Sequence, residues 1–412
     1  MSKKHIESPF NIIVIVSALG YFVDIYDLIL FNVVKFSSFE SLGFDVSLHK
    51  QYDTYLFNMQ MTGMLIGGLI WGVLGDKKGR KSVLFGSILM YSLANIANAF
   101  VWDINSYAIM RFIAGVGLAG ELGAGITLVS ETMSKENRGY GTMIIVTFGA
   151  LGAVLASFVG RYLDWKTAYL VGGAMGILLL LIRAGTFEST MFENVSKSKN
   201  IVKGSFLMLF KTKERFLKYI ACIAVGLPIW FIVGVLINQS YRIHSFENIT
   251  KVVQVSDAVL YCYIGLSVGD LFSGLLSQWL KSRKKVVITY IVISIVIIGI
   301  YLTGTISSYT SFKLLSFLLG AATGYWALFV TIASEQFGTN LRSTVTNSVP
   351  NFVRGAVVPI NLSFAALAIS YSVLTAALII GSVCLFLALI SILYLKETFG
   401  KDLDYVELLR EN

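Results

Sequence analysis

The chain has 412 residues, 56% of them hydrophobic and only 14% charged, with a formal net charge of +9. A soluble domain of this size cannot hide so much apolar surface, which leaves a polytopic membrane protein. The basic excess sits in the connections between apolar runs and makes no case for nucleic acid.

Hydropathy predicts about twelve spans of roughly 20 residues, all helical. They fall near 11–36, 54–75, 82–100, 107–132, 140–162, 167–187, 216–240, 256–280, 285–306, 310–334, 344–369 and 372–395. The opening Met-Ser-Lys-Lys-His lacks a cleavage site of small residues, so the first run reads as a retained helix. Lysines and arginines crowd the even-numbered connections (Lys77, Lys78, Arg80, Lys81; Lys135, Arg138; Lys281–Lys285; Arg342), whereas the odd-numbered ones are mixed in sign. By the positive-inside rule both termini are then cytoplasmic. Cys222, Cys262 and Cys384 fall inside spans and suit small apolar fillers. His5, His49 and His244 lie at or beyond span ends, so a buried histidine relay is not expected.

The first span carries Asp24, Tyr26 and Asp27 near its middle. Acids at i and i+3 share one side of a helix, and intramembrane carboxylates normally face a bundle interior. Two so close resist ionising together, as a proton carrier requires; structural acceptors are the plainer alternative. The second span is glycine-rich (Gly63, Gly67, Gly68, Gly72), a helix-packing face. It ends in Gly72-Val-Leu-Gly-Asp76-Lys-Lys-Gly79-Arg80-Lys81, a charged hairpin in which Asp76 can accept from Arg80 or from the N-terminus of a facing helix. Positive-inside punctuation is the alternative there.

The spacing G-x-L-x-D-x-x-G-R-K closely resembles the signature between the second and third helices of the major facilitator superfamily of secondary transporters. The acid–aromatic–acid stretch of the first span is similar to that of the superfamily's metabolite:proton and phosphate:proton symporters. Arg111 followed by Gly115, Gly117, Gly120-Glu121 and Gly123 resembles the fourth-helix motif. The resemblance implies proton exchange at Asp24, Asp27 and Glu121, and a cytoplasmic gate built from Asp76, Gly79, Arg80, Glu131, Arg138, Glu335 and Arg342. Arg111 also suits a cation that snorkels to the interface. The fifth span lacks the Gly-Pro signature of drug antiporters, and Glu188-Ser189-Thr190 and Glu397-Thr398-Phe-Gly400 are similar to sugar-porter helix ends.

From Glu188 to Lys218 the composition turns polar and basic, a linker with an amphipathic helix expected around Ser205–Lys213. The second half echoes the first: Ser130-Glu131 with Arg138 recurs as Ser334-Glu335 with Arg342, and 72–81 recurs, degraded, at 274–283 with Gln278 in the place of Asp76. Two six-helix bundles follow, residues 1–187 and 216–396, joined by a linker over 188–215 and closed by a cytoplasmic tail over 397–412.

Arg354, bracketed by Pro350 and Pro359, lies near the centre of its span, where an unpaired guanidinium costs several kcal/mol. It must meet an anionic ligand, or else Asp270 or a first-half acid in a static pair. Tyr26, Arg111, Trp230, Asn238, Gln239, Tyr325 and Trp326 are further candidate substrate contacts. The chain has no phosphate-binding loop, HExxH or paired CxxC motif, so no cofactor, metal or enzymatic activity is expected. The reading is a monomeric, proton-coupled importer of a small organic anion or zwitterion in the inner membrane of a bacterium. A sugar or polyol porter is the alternative within transport, and a non-transporting receptor on the same scaffold the alternative outside it.

Overall fold

The computed structural model describes residues 8–183, 189–197, 202–243, 255–303 and 308–407, and these are helical throughout apart from turns and short connections. His5, His244 and the Phe187-Glu188 pair lie outside the described residues. The helices are α1 (Ile12–Ser41), α2 (His49–Lys78), α3 (Arg80–Asn98), α4 (Ile104–Leu118), α5 (Glu121–Thr132), α6 (Arg138–Tyr162), α7 (Trp165–Ile182), α8 (Thr190–Lys197), α9 (Lys213–Phe231), α10 (Ser240–Ile243), α11 (Val255–Trp279), α12 (Arg283–Leu302), α13 (Tyr309–Ala322), α14 (Trp326–Gln336), α15 (Arg342–Gly355), α16 (Val357–Ser370) and α17 (Val373–Tyr394).

Among the described residues, eleven helical stretches are long and apolar enough to cross a membrane. The expected third span, α3, is 19 residues long but opens on Arg80 and Lys81 and carries Asn95 and Asn98, which lowers its hydropathy. Three expected continuous spans are broken at their middles. The fourth divides at Ala119–Gly120, the tenth at Thr323–Tyr325 and the eleventh at Ala356. The seventh passes Pro228 and loosens into a π-helix over Ile232–Ile237. Proline removes a backbone donor, and such irregularity is tolerated at membrane depth only where protein or a cavity surrounds it. The amphipathic helix expected around Ser205–Lys213 is instead a 3-10 turn, Phe206–Phe210, with Met208 and Leu209 buried. Five residues with two apolar side chains pinned inward favour the tighter winding.

Helices α1–α7 pack on one another, as do α9–α17, and α2 on α15 with α6 on α11 join the two groups. Glycine sets the closest approaches identically in both. A Cβ on Gly63 would strike the carbonyl of Phe112 and one on Gly115 that of Gln60, fixing α2 against α4. Gly265 and Gly320 do the same to the carbonyls of Phe317 and Cys262, fixing α11 against α13. The internal repeat is therefore structural as well as sequential.

Candidate functional site

Two polar layers stand out, one at the face that holds the 76–80 hairpin and one at half-depth. At the hairpin face, Gly79 (φ 98°) lets the chain reverse between α2 and α3 in a conformation close to glycine-only. The reversal aims Asp76 at the start of α15, where it accepts from the backbone N–H groups of Ser343 (3.0 Å) and Thr344 (2.8 Å) and from the Thr344 hydroxyl (2.7 Å). One half thus caps a helix of the other and meets its dipole. Arg80 lies 3.5 Å from Asp76 and bonds Glu131 through Nε (3.1 Å) and Nη2 (2.7 Å). Arg342 reaches the same Glu131 at 2.9 Å.

The mirror arrangement is Arg283 on Glu335 at 2.7 and 2.9 Å, with Arg138 crossing from the first half at 2.7 Å. All six side chains are buried. The described tail lies over this layer: Arg138 donates to the carbonyl of Lys401 and Arg342 to that of Leu403, each at 2.6 Å. At the opposite face the halves meet through Arg161 and Asp257, 3.0 Å apart, with the arginine side chain 50% exposed.

At half-depth, Arg354 is buried and donates to Asn351 Oδ1 at 3.2 Å, and the Tyr21 hydroxyl lies 3.5 Å from its Nη2. Its nearest carboxylate is Asp24 of the other half, at 3.9 Å and without a hydrogen bond. Unit charges at that range attract by about 4 kcal/mol at an effective dielectric of about 20. That holds Asp24 and Arg354 together, yet among the described residues no carboxylate hydrogen-bonds the guanidinium: Nη1 and Nη2 meet only the neutral Asn351 and Tyr21, and Nε has no partner. The ring of Trp326 lies 5.6 Å from the guanidinium carbon, and Trp326 Nε1 donates to Tyr21 at 3.0 Å. Arg354, Trp326, Trp230, Tyr21 and Tyr263 share a cavity of about 20 Å³ with apolar side chains of both halves. That holds a water but no organic solute.

Other candidates lie elsewhere. Asp270 accepts from the N–H of Ala327 at 2.9 Å and is not the partner of Arg354. Glu121 is held bidentately by Arg183, whose Nη1 donates at 2.8 Å and whose Nη2 also reaches the carbonyl of Val16. Arg111 donates to Gln60 and stacks on Phe31, 4.8 Å away, inside the first half. It is buried, not an interfacial cation. Tyr26 donates to the carbonyl of Ala168 and Tyr325 to that of Val225. Gln239 bonds Asn361, and neither it nor Asn238 lines the Arg354 cavity.

Residues 17–358 match the family model of the Major Facilitator Superfamily, well over half of the chain. The chain belongs to the major facilitator superfamily. Among curated relatives, it is 26% identical over 306 residues (72% of this chain, 73% of the relative) to the 3-(3-hydroxy-phenyl)propionate transporter of Escherichia coli. It is 24% identical over 381 residues (81% and 78%) to the benzoate transport protein of Acinetobacter baylyi. The solved structure of the proton:xylose symporter XylE, bound to 6-bromo-6-deoxy-D-glucose, superposes with a TM-score of 0.75 over 95% of this chain and 97% of that one. At 15% identity it speaks for the fold alone. The protein is thus a multi-pass membrane protein of the superfamily and a transporter of small solutes.

Arg183, Arg283, Tyr21 and Asn351 enter the site without having been singled out from the sequence. Arg183 stands at a span end, 62 residues from its partner, and no spacing joins the two. Arg283 was within reach, since it closes the degraded repeat of the hairpin.

Proposed function

We propose that this transporter carries a small organic anion, of the aromatic monocarboxylate kind, into the cell together with protons. The observation that carries the reading is Arg354: a buried guanidinium with one charged neighbour at 3.9 Å, set among aromatic rings. A substrate carboxylate filling the planar fork gains two charge-assisted bonds that Asp24 does not make. Tyr21, Trp230 and Trp326 offer ring edges and faces to an aromatic body. The named substrates of the relatives, hydroxyphenylpropionate and benzoate, have this chemistry.

In this reading twelve spans form two six-helix units, residues 1–187 and 216–396, joined over 188–215, with both termini and the 397–412 tail cytoplasmic in an inner membrane. The buried Arg–Glu triads and the Asp76 cap are the cytoplasmic gate in its closed state, and the exposed Arg161–Asp257 pair is the weaker outer closure. Protonation of Asp24 releases Arg354 to the incoming anion, which links the two loads. Glu121, locked on Arg183, is set aside from the proton path. Proteoliposomes acidic outside should concentrate labelled benzoate and show no uphill movement of labelled hexose. Hexose counterflow without benzoate uptake would overturn the reading in favour of a sugar porter.

A further inference from the structure

A second polar cluster lies inside the first half, away from the Arg354 cavity. Asp27 is 0% exposed, and neither of its carboxylate oxygens has a hydrogen-bond partner. On α3, Asn95 is the side chain set to hydrogen-bond the carboxylate, short of full hydrogen-bond geometry, and neither atom of its buried amide has another partner among the described residues. Ser92, one turn earlier, buries an unpartnered hydroxyl. α7 closes the cluster with glycine: a Cβ on Gly172 would strike Asp27 Oδ1 and one on Gly176 the Ser92 hydroxyl. None of these residues lines the cavity at Arg354.

An ionised carboxylate sealed here without a donor costs several kcal/mol. A metal cation caged by oxygens needs space that the glycine contacts do not leave, whereas a proton needs none. Once protonated, Asp27 donates its O–H to Asn95 Oδ1; ionised, it accepts from Asn95 Nδ2. One amide serves both states by turning over. The charged and titratable groups that face Asp27 are Asp24 and Tyr26 on α1, Tyr91 on α3, Arg111 on α4 and Tyr169 on α7.

We propose that Asn95 is the positioning residue for a coupling proton on Asp27, so that the two acids of α1 divide the work: Asp27 stores the proton, and Asp24, on receiving it, frees Arg354. The inference rests on the proton-coupled reading above, and its test needs no substrate. In infrared difference spectra of the full chain in proteoliposomes, the protonated-carboxyl C=O band that Asp27→Asn removes should move to higher frequency in Asn95→Leu, where the O–H has lost its acceptor. Asn95→Ser, a smaller disturbance to packing, should move it part-way, and Ser92→Ala less. In parallel, benzoate uptake driven by an acid-outside gradient should fall about tenfold in Asn95→Leu relative to benzoate exchange at equal pH, the worth of one charge-assisted bond. A band unmoved by both Asn95 substitutions, or no protonated-carboxyl band lost in Asp27→Asn, overturns the proposal. Wild-type protein that shows the band and its shift but no gradient-driven uptake overturns the coupling reading instead.

Discussion

The two halves build the same gate from different parts, and the difference lies in two residues. On the first side, Asp76 caps α15 with three hydrogen bonds and Gly79 makes the turn. On the second, Gln278 faces Gly139 at the start of α6, and its Nε2 has no partner. The turn there passes through Lys281 at φ 51°, in the place of Gly79, and α12 starts one position later in the repeat than α3, so that Arg283, not Ser282, takes the role of Arg80. The triads Arg80–Glu131–Arg342 and Arg283–Glu335–Arg138 are otherwise equivalent. A matched pair of triads supplies the common lock, and the cap gives one side the stronger latch.

The largest effect should come from removing the shared acids. Glu335→Gln leaves Arg283 and Arg138 without a carboxylate, while Glu131→Gln does the same to Arg342 and leaves Arg80 with Asp76 at 3.5 Å; breaking a buried pair costs about 3–5 kcal/mol. Each should lower the melting temperature and expose a reporter Thr339→Cys to thiol labelling, Glu335→Gln the more, because Asp76 still faces Arg80 in the first triad and Gln278 carries no charge in the second. Asp76→Asn comes next, at about 1–3 kcal/mol for lost charge-assisted bonds at a helix start. It should speed the same labelling and impair transport while ligand affinity in the favoured state survives. Gln278→Asp should act in the opposite direction, by about 1 kcal/mol or less, because an acid there can cap α6 as Asp76 caps α15. Labelling faster than wild type in Gln278→Asp would remove the asymmetry from the account.

The turns should differ in sign. Gly79→Ala forces a side chain into a conformation close to glycine-only and should cost about 1–3 kcal/mol, read as a lower melting temperature. Lys281→Gly should be neutral or mildly stabilising at its left-handed position.

The smallest effect concerns the tail on the second side. Glu397 accepts from the Ser282 hydroxyl and from the N–H groups of Arg283 (3.1 Å) and Lys284 (3.2 Å), capping α12. Burial opposes ionisation, but the Ser282 hydroxyl and the N–H groups of Phe399, Arg283 and Thr398 hold its carboxyl below the usual range. Its contribution is therefore present above the ordinary glutamate value and lost as pH falls through the depressed one. Tail docking, followed by protease access to residues 401–407, should loosen on acidification in wild type and be loose at every pH in Glu397→Gln.

The hairpin latch was legible because its residues lie within nine positions and the repeat copies its sequence. The charge of Arg354 in an apolar span marked it as a site residue, since burial without compensation is too costly to be casual. What stayed hidden required contacts between distant elements. Nothing near Arg183 in the sequence names Glu121, and α12 starts one position later in the repeat than α3, so that Arg283 is not in register with Arg80. Asn95 reads as an ordinary polar residue in a span until α7 places glycines opposite its neighbours. The mid-span breaks at Ala119–Gly120 and Ala356 left no mark in hydropathy, because a window the length of a span averages Glu121 and Arg354 into their apolar surroundings.

Whether Arg354 reads the charge of the substrate is settled most directly by benzoate binding to wild type, Arg354→Lys and Arg354→Gln in detergent. Lysine keeps the charge but loses the planar fork, so affinity should fall about tenfold or more, and glutamine should abolish binding while the protein stays folded. Equal affinity in all three would place Arg354 in the scaffold and contradict the account.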